Sequence, residues 1–187
     1  HQRIERIQGS LKQDIELYAK WSFLGTYISS GDEFAQILYQ PDGAYELTQS
    51  IEITKTVPIE GYFNGAGNAI SGAQPFSDIS EGAKVSNVSV NGFALSKSNA
   101  GYVYKCTAGK GLVEINNKTG TIVHSSATGF IKVNYAGAAG LVYSNFGTID
   151  QCYSINRISV TEVRMAGGLV CCNYGNIQNS FFRGSVY

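Results

Sequence analysis

Gly140-Leu141-Val142-Tyr143-Ser144-Asn145-Phe146-Gly147-Thr148-Ile149 and, further along the chain, Gly168-Leu169-Val170-Cys171-Cys172-Asn173-Tyr174-Gly175-Asn176-Ile177 repeat one pattern. A third copy begins earlier, at Gly111-Leu112-Val113, with Asn116, Gly120 and Ile122 in matching places and two more residues between its glycines. Those extra residues are expected at a turn. The copies start at nearly equal intervals, at Gly111, Gly140 and Gly168. A recurrence in the range of roughly 20–50 residues is the mark of a chain that stacks one supersecondary unit on the next, each unit burying its apolar face against its neighbours. The recurring residues therefore describe architecture first, and function must be sought in what does not recur.

Working outward, Ser125, Cys152 and Ser180 lie three residues beyond each Ile, and share its direction only if the chain bends between them. Val133 and Val160 also match, and Val186 joins them if the last copy is two residues shorter. Val85-Ser86-Asn87-Val88-Ser89-Val90 alternates with the period of a half-buried strand and reads as a diverged fourth rung. The segment from Phe93 to Lys110 reads as an insertion between rungs. With 22 Gly, 3 Pro, 12% aromatic residues and abundant Val, Ile, Thr and Ser, the chain favours short strands joined by turns.

The first half divides into two further parts. Within residues 1–21, Asp14-Ile15-Glu16-Leu17-Tyr18-Ala19-Lys20-Trp21 alternates like an edge strand of a small module or linker. Residues 22–54 form an N-terminal cap: Ser30-Gly31-Asp32-Glu33 has capping-box spacing and predicts a short helix over 31–39, with Phe34, Ala35, Ile37 and Leu38 on its apolar face. Pro41-Asp42-Gly43 ends it, and Tyr45–Thr48 and Ile51–Thr54 read as strands. Such a helix would cover the open edge of a β stack.

The repeats at 111–133, 140–160 and 168–186 resemble GLUG repeats, found in large bacterial surface proteins, adhesins and non-catalytic parts of some immunoglobulin A proteases. The lead-in through Ile28-Ser29-Ser30, Glu33-Phe34, Tyr45–Thr48 and Pro58–Gly65 resembles the segment that commonly precedes them, so the likeness spans about residues 28–187. Residues 14–21 are similar to the closing strand of a Listeria–Bacteroides (internalin B-type) repeat. One departure is that Glu114, Tyr143 and Cys171 stand where the family usually has Gly. The resemblance implies an all-β, right-handed parallel β-helix over 55–187. Leu112, Leu141 and Leu169 would form one internal ladder, Ile122, Ile149 and Ile177 another, and Asn116, Asn145 and Asn173 an amide row at a turn.

Few residues point to chemistry. Polysaccharide lyases and hydrolases on such a fold need clustered acids, often with Arg or Lys nearby. Here the repeats offer Glu114, Asp150 and Glu162, with Arg157, Arg164 and Arg183, but no two of the carboxylates occupy equivalent or adjacent rung positions, and Asp150 is expected to face solvent. Asp78 and Glu81 read as turn formers in a loop. His124 has no Cys or His at metal-ligand spacing, and no phosphate loop or nucleophile elbow is present. No catalytic residue, metal or cofactor is expected, and the chain is read as non-enzymatic.

Zero net charge gives no signal for nucleic acid, and no apolar run approaches the roughly 20 residues of a membrane span. Cys152 reads as an inert thiol of the small-residue ladder. Cys171 and Cys172 would point to opposite sides of a strand, and Cys106 is either free or bonded to one of the others. Tyr143, Phe146, Tyr153, Tyr174 and Phe181 recur at matching offsets, with Phe182 beside them; they either pack inside or line a contact face. A chain opening His-Gln-Arg and closing at Tyr187 directly after a repeat reads as an excerpt, with more rungs or domains expected in the parent. The resemblance implies an extracellular stalk or adhesive scaffold of a bacterial surface or secreted protein, whose partner would be a host protein or glycan. The alternative is a carbohydrate-binding or polysaccharide-degrading β-helix.

Overall fold

A computed structural model describes residues 23–133, 137–162 and 165–187; the strand expected within residues 1–21 lies outside the described residues. The chain is a parallel β-helix. Three sheets run along the stack, and each coil between the first and the last contributes one short strand to each in turn. The eight-stranded sheet holds Thr26–Ile28, Ala44–Leu47, Tyr62–Asn64, Lys84–Ser86, Tyr102–Tyr104, Thr121–Val123, Thr148–Asp150 and Asn176–Gln178. The six-stranded sheet holds Val57–Ile59, Phe76–Ile79, Ser96–Asn99, Val113–Asn116, Val142–Asn145 and Val170–Asn173, and the seven-stranded sheet runs from Ile51–Glu52 to Phe181–Phe182. Parallel strands need a long crossover between them, and here the rest of the coil supplies it.

Coil length is not constant. The in-register positions Tyr62, Lys84, Tyr102 and Thr121 follow one another closely along the chain, whereas Thr121, Thr148 and Asn176 are set further apart. The longer coils add a fourth side, Phe130–Val133 with Arg157–Val160 and Ser185–Val186, and a short pair, Ala138–Ala139 with Ala166–Gly167. This corrects three expectations. Residues 93–110 are not an insertion but a complete short coil, with Ser96–Asn99, Tyr102–Tyr104 and Thr107–Ala108 in the three sheets. Val85–Val90 is two strands, Lys84–Ser86 and Ser89–Val90, split by Asn87 at φ 52°. Val133 pairs with Val160, but Val186 pairs with Ile158.

Stacking also begins before residue 55, because Thr26–Ile28, Ala44–Leu47 and Ile51–Glu52 are members of the same sheets. Between them, Gly31–Ala35 is α-helical and Gln36–Tyr39 continues as a 3-10 helix. Ser30 caps it by accepting from the Glu33 N–H at 3.2 Å, while the Glu33 carboxylate accepts from the Ser29 N–H and hydroxyl at 2.6 and 2.9 Å. Tightening to three residues per turn keeps Phe34 and Ile37 on one buried face and turns Leu38 out to 52% exposure. Phe34 then closes an aromatic cluster with Phe63 and Phe76 at centroid distances of 5.9 and 5.8 Å.

Inside the stack, in-register residues form columns. Tyr45, Phe63, Val85, Val103, Ile122, Ile149 and Ile177 make one, and Val113, Val142 and Val170 another. Leu112 and Leu141 are fully buried, with Leu169 packed against the same core. Each fully buried Leu or Ile contributes about 1.5–3 kcal/mol. A third column begins as Ile59 and Ile79 and becomes Asn99, Asn116, Asn145 and Asn173.

These amides bond in series. Asn99 Nδ2 donates to Asn116 Oδ1 at 2.8 Å, Asn116 Nδ2 to Asn145 Oδ1 at 2.8 Å, and Asn145 Nδ2 to Asn173 Oδ1 at 2.7 Å. Asn116, Asn145 and Asn173 also donate to the carbonyls of Gly120, Gly147 and Gly175 in their own coils. That bond explains why Asn and Gly recur together. A Cβ on Gly147 would strike the Gly120 carbonyl, so the turn must stay bare for the next to stack.

In these strands Val142 and Asn145 are both buried although three residues apart, which forces the two residues between them outward. Glu114 with Ile115, Tyr143 with Ser144, and Cys171 with Cys172 are the resulting outward pairs, none of them fully buried. Cys171 and Cys172 therefore share a side, contrary to simple strand alternation.

Asn116→Ala would strand the Asn99 donor and the Asn145 acceptor in a dry interior, at about 1–3 kcal/mol for each unmet group. Urea denaturation should show a loss of about 2–6 kcal/mol, the sum over the two groups; a loss below about 0.5 kcal/mol, the range of an ordinary surface change, would mean the amides are not carrying the stack.

Candidate functional site

Leaving the eight-stranded sheet, five successive coils turn a corner through a residue with φ near +50°: Asn87, Lys105, His124, Gln151 and Asn179. Asn tolerates this conformation; Lys, His and Gln do so at some cost. What holds the corner is the small residue that follows it. Cys106 N–H donates to Ser125 Oγ at 3.1 Å, Ser125 N–H to Cys152 Sγ at 3.4 Å, and Cys152 N–H to Ser180 Oγ at 3.0 Å. Each of Ser125, Cys152 and Ser180 donates back to a carbonyl of its own coil, at Val123, Asp150 and Gln178. Cys106 and Cys152 are thus structural links, and all four cysteines are free thiols. Burial pushes Cys106 up to about 12 and Cys152 up to about 11.

The recurring aromatics lie outside the core. Phe146 and Tyr174 stack at 5.0 Å and 12°, and Tyr153 and Phe181 at 5.5 Å and 11°, as ring pairs on adjacent coils do when the strand spacing is about 4.8 Å. Their exposures run from 37% for Tyr153 to 71% for Tyr174. They do not share one face: Tyr143 is on the six-stranded sheet, Phe146 and Tyr174 follow its strands, and Tyr153 and Phe181 belong to the seven-stranded sheet, with Thr148–Asp150 intervening.

A second aromatic strip occupies the outer face of the eight-stranded sheet. Tyr62, Lys84 and Tyr102 are in register, and Lys84 Nζ sits between the rings, 6.0 Å from Tyr62 and 5.6 Å from Tyr102. Tyr104 lies beside Tyr102 at 6.2 Å and 20°, meets His124 edge-on at 5.5 Å, and carries Lys105 Nζ 5.1 Å above its ring. A hollow of about 320 Å³ opens at this strip, lined by Glu81, Lys84, Tyr102, Thr119 and Thr121 among others. A flat ring, an ammonium, a carboxylate and two hydroxyls suit a polyhydroxylated ligand. Unequal coil lengths hid this alignment, since Tyr62, Lys84 and Tyr102 keep no fixed spacing along the chain. A further hollow of about 370 Å³ is bounded by Lys110, Val113, Glu114, Ile131, Leu141 and Tyr143, among others.

The acids are dispersed. Asp78 lies within the strand Phe76–Ile79 and not in a loop, and Glu81 is in the following turn. The Asp150 carboxylate accepts from Asn179 Nδ2 at 2.9 Å, and that bond holds its carboxyl below the usual range. Glu114 and Glu162 are exposed. Among the described residues no three His, Cys, Asp or Glu side chains gather as metal ligands.

Comparison of the chain with protein-family models, curated proteins and solved structures found no match.

Because Cys106 and Cys152 are buried and protonated below about pH 11, a thiol reagent at pH 8 should label two thiols in the native protein and four in denaturant; fast labelling of all four in the native state would contradict the ladder. A thiol raised on folding stabilises the protein only while protonated. The stability they contribute should therefore be intact below about pH 8.5, the ordinary thiol value, and fall as pH rises toward 12, which alkaline denaturation curves would show.

Proposed function

We propose that this chain is a non-catalytic scaffold, a rigid segment of a large bacterial surface or secreted protein that spaces neighbouring domains and presents an outer face to a host protein or glycan. The observation that carries this reading is the continuous amide row Asn99–Asn116–Asn145–Asn173, formed by the last residues of four successive strands of the six-stranded sheet. It accounts for most of the recurring residues as stacking devices and leaves the outer surface free to vary. Resemblance to GLUG repeats supports the bacterial surface assignment, and the dispersal of Glu81, Glu114, Asp150 and Glu162 over separate turns and strands supports a non-catalytic role.

The Tyr62–Lys84–Tyr102 strip and its hollow favour a second reading in which the scaffold binds carbohydrate directly. Lys84 would prefer an acidic sugar, whose carboxylate it meets while the ring lies against Tyr102.

Incubation with neutral and acidic polysaccharides should release no reducing ends. Release that disappears in Glu81→Gln or Asp150→Asn would overturn the non-catalytic reading. In a glycan-array screen followed by calorimetry, any sugar bound through the strip should bind at least about tenfold more weakly to Tyr102→Ala, a change of about 1.4 kcal/mol; undiminished binding would place the sugar elsewhere.

A further inference from the structure

Val170 and Asn173 occupy inner columns of the stack, so Cys171 and Cys172 are both forced to its outer side. Their sulfurs are 3.9 Å apart and half-exposed, whereas Cys106 and Cys152 are buried in the corner ladder. Tyr143 of the preceding coil stands against them: its hydroxyl is pushed up by partial burial, then by Cys171, Cys172, Glu114 and Tyr174. We propose that Cys171 and Cys172 form a vicinal-dithiol site that captures a thiophilic trivalent metalloid, with arsenic(III) as the type.

Geometry separates this from the two other fates of paired thiols. A disulfide needs the sulfurs at about 2.05 Å, and both flank a single peptide held between two inward anchors. A closed metal site needs two more ligands, and no third His, Cys, Asp or Glu completes a cluster among the described residues. A single bridging atom asks for neither. Two bonds of about 2.3 Å, the length of a thiolate bond to a thiophilic centre, at the roughly 90–100° angle of pyramidal arsenic(III) span about 3.3–3.5 Å, so the sulfurs, 3.9 Å apart, need close by only about half an ångström.

An organic arsenoxide brings its own third substituent and requires two thiols only. In the reaction both S–H bonds break, two As–S bonds form, and the oxide oxygen takes the two protons and leaves as water. Arsenic and sulfur keep their oxidation states, so no oxidant is consumed. Partial burial and the neighbouring thiol raise the Cys171 pKa, so the pair is held protonated until each sulfur gives up its proton as it attacks the arsenic.

Phenylarsine oxide is the probe, read by intact-mass spectrometry of the native chain in excess monothiol. The expected result is one adduct per chain, mapped to the peptide carrying both cysteines, resistant to monothiol and removed by a dithiol. Cys171→Ser and Cys172→Ser should each weaken retention by at least about a hundredfold, the loss of a two-point attachment. Cys172→Ser places there the residue that the preceding coil carries at Ser144, so the stack should survive, with an unchanged circular dichroism spectrum. Absence of an adduct on the wild type, equal retention by either variant, or mapping to Cys106 or Cys152 would overturn the assignment.

Discussion

A buried side-chain amide can neither be left unpaired nor turned to solvent, and the Asn row makes that constraint the organising one. An inner amide of the row, Asn116 or Asn145, accepts from the coil before it, donates to the coil after it, and ties down the glycine turn of its own coil. All its groups are met only if successive coils are in register. Slipping one coil by one residue would bring an outward side chain in against the column and leave donors and acceptors unpaired in a low-dielectric interior. The Val, Leu and Ile columns supply most of the burial, but apolar contact tolerates small displacement; the amide chain does not.

That constraint also sets the exterior. Fixing Val and Asn inward three residues apart turns two neighbours outward together, which ordinary strand alternation never does. Glu114 with Ile115, Tyr143 with Ser144 and Cys171 with Cys172 follow from it. The corner ladder acts in the same way, holding Lys105, His124 and Gln151 at positive φ with their side chains on the surface. Variable chemistry is thereby displayed at fixed intervals on an invariant frame, the property a scaffold or a binding rod requires.

Much of this was legible as spacing. Positions recurring at the near-constant interval of Gly111, Gly140 and Gly168 marked the stack, the Leu and Ile columns and the Asn row from Asn116 to Asn173. The earlier coils were illegible because they lack the fourth side, so the repeat shortens and Asn99, Val103 and Cys106 fall out of phase with their counterparts although they occupy the same columns. The Tyr62–Lys84–Tyr102 strip was hidden for the same reason. That Cys171 and Cys172 share a side was not legible, because strand alternation predicts opposite sides and two inward anchors override it. The helix was visible from its cap, but its shift to 3-10 geometry, which decides that Leu38 faces out, depends on how Ile37 packs against the first coils.

The amide row is the feature to measure. In a ¹⁵N-labelled sample, the side-chain NH₂ groups of Asn116 and Asn145 should exchange with solvent far more slowly than that of exposed Asn179, and cross-peaks should link Asn99 to Asn116, Asn116 to Asn145 and Asn145 to Asn173. Exchange of those groups at the rate of Asn179, with no contact between successive amides, would contradict the account.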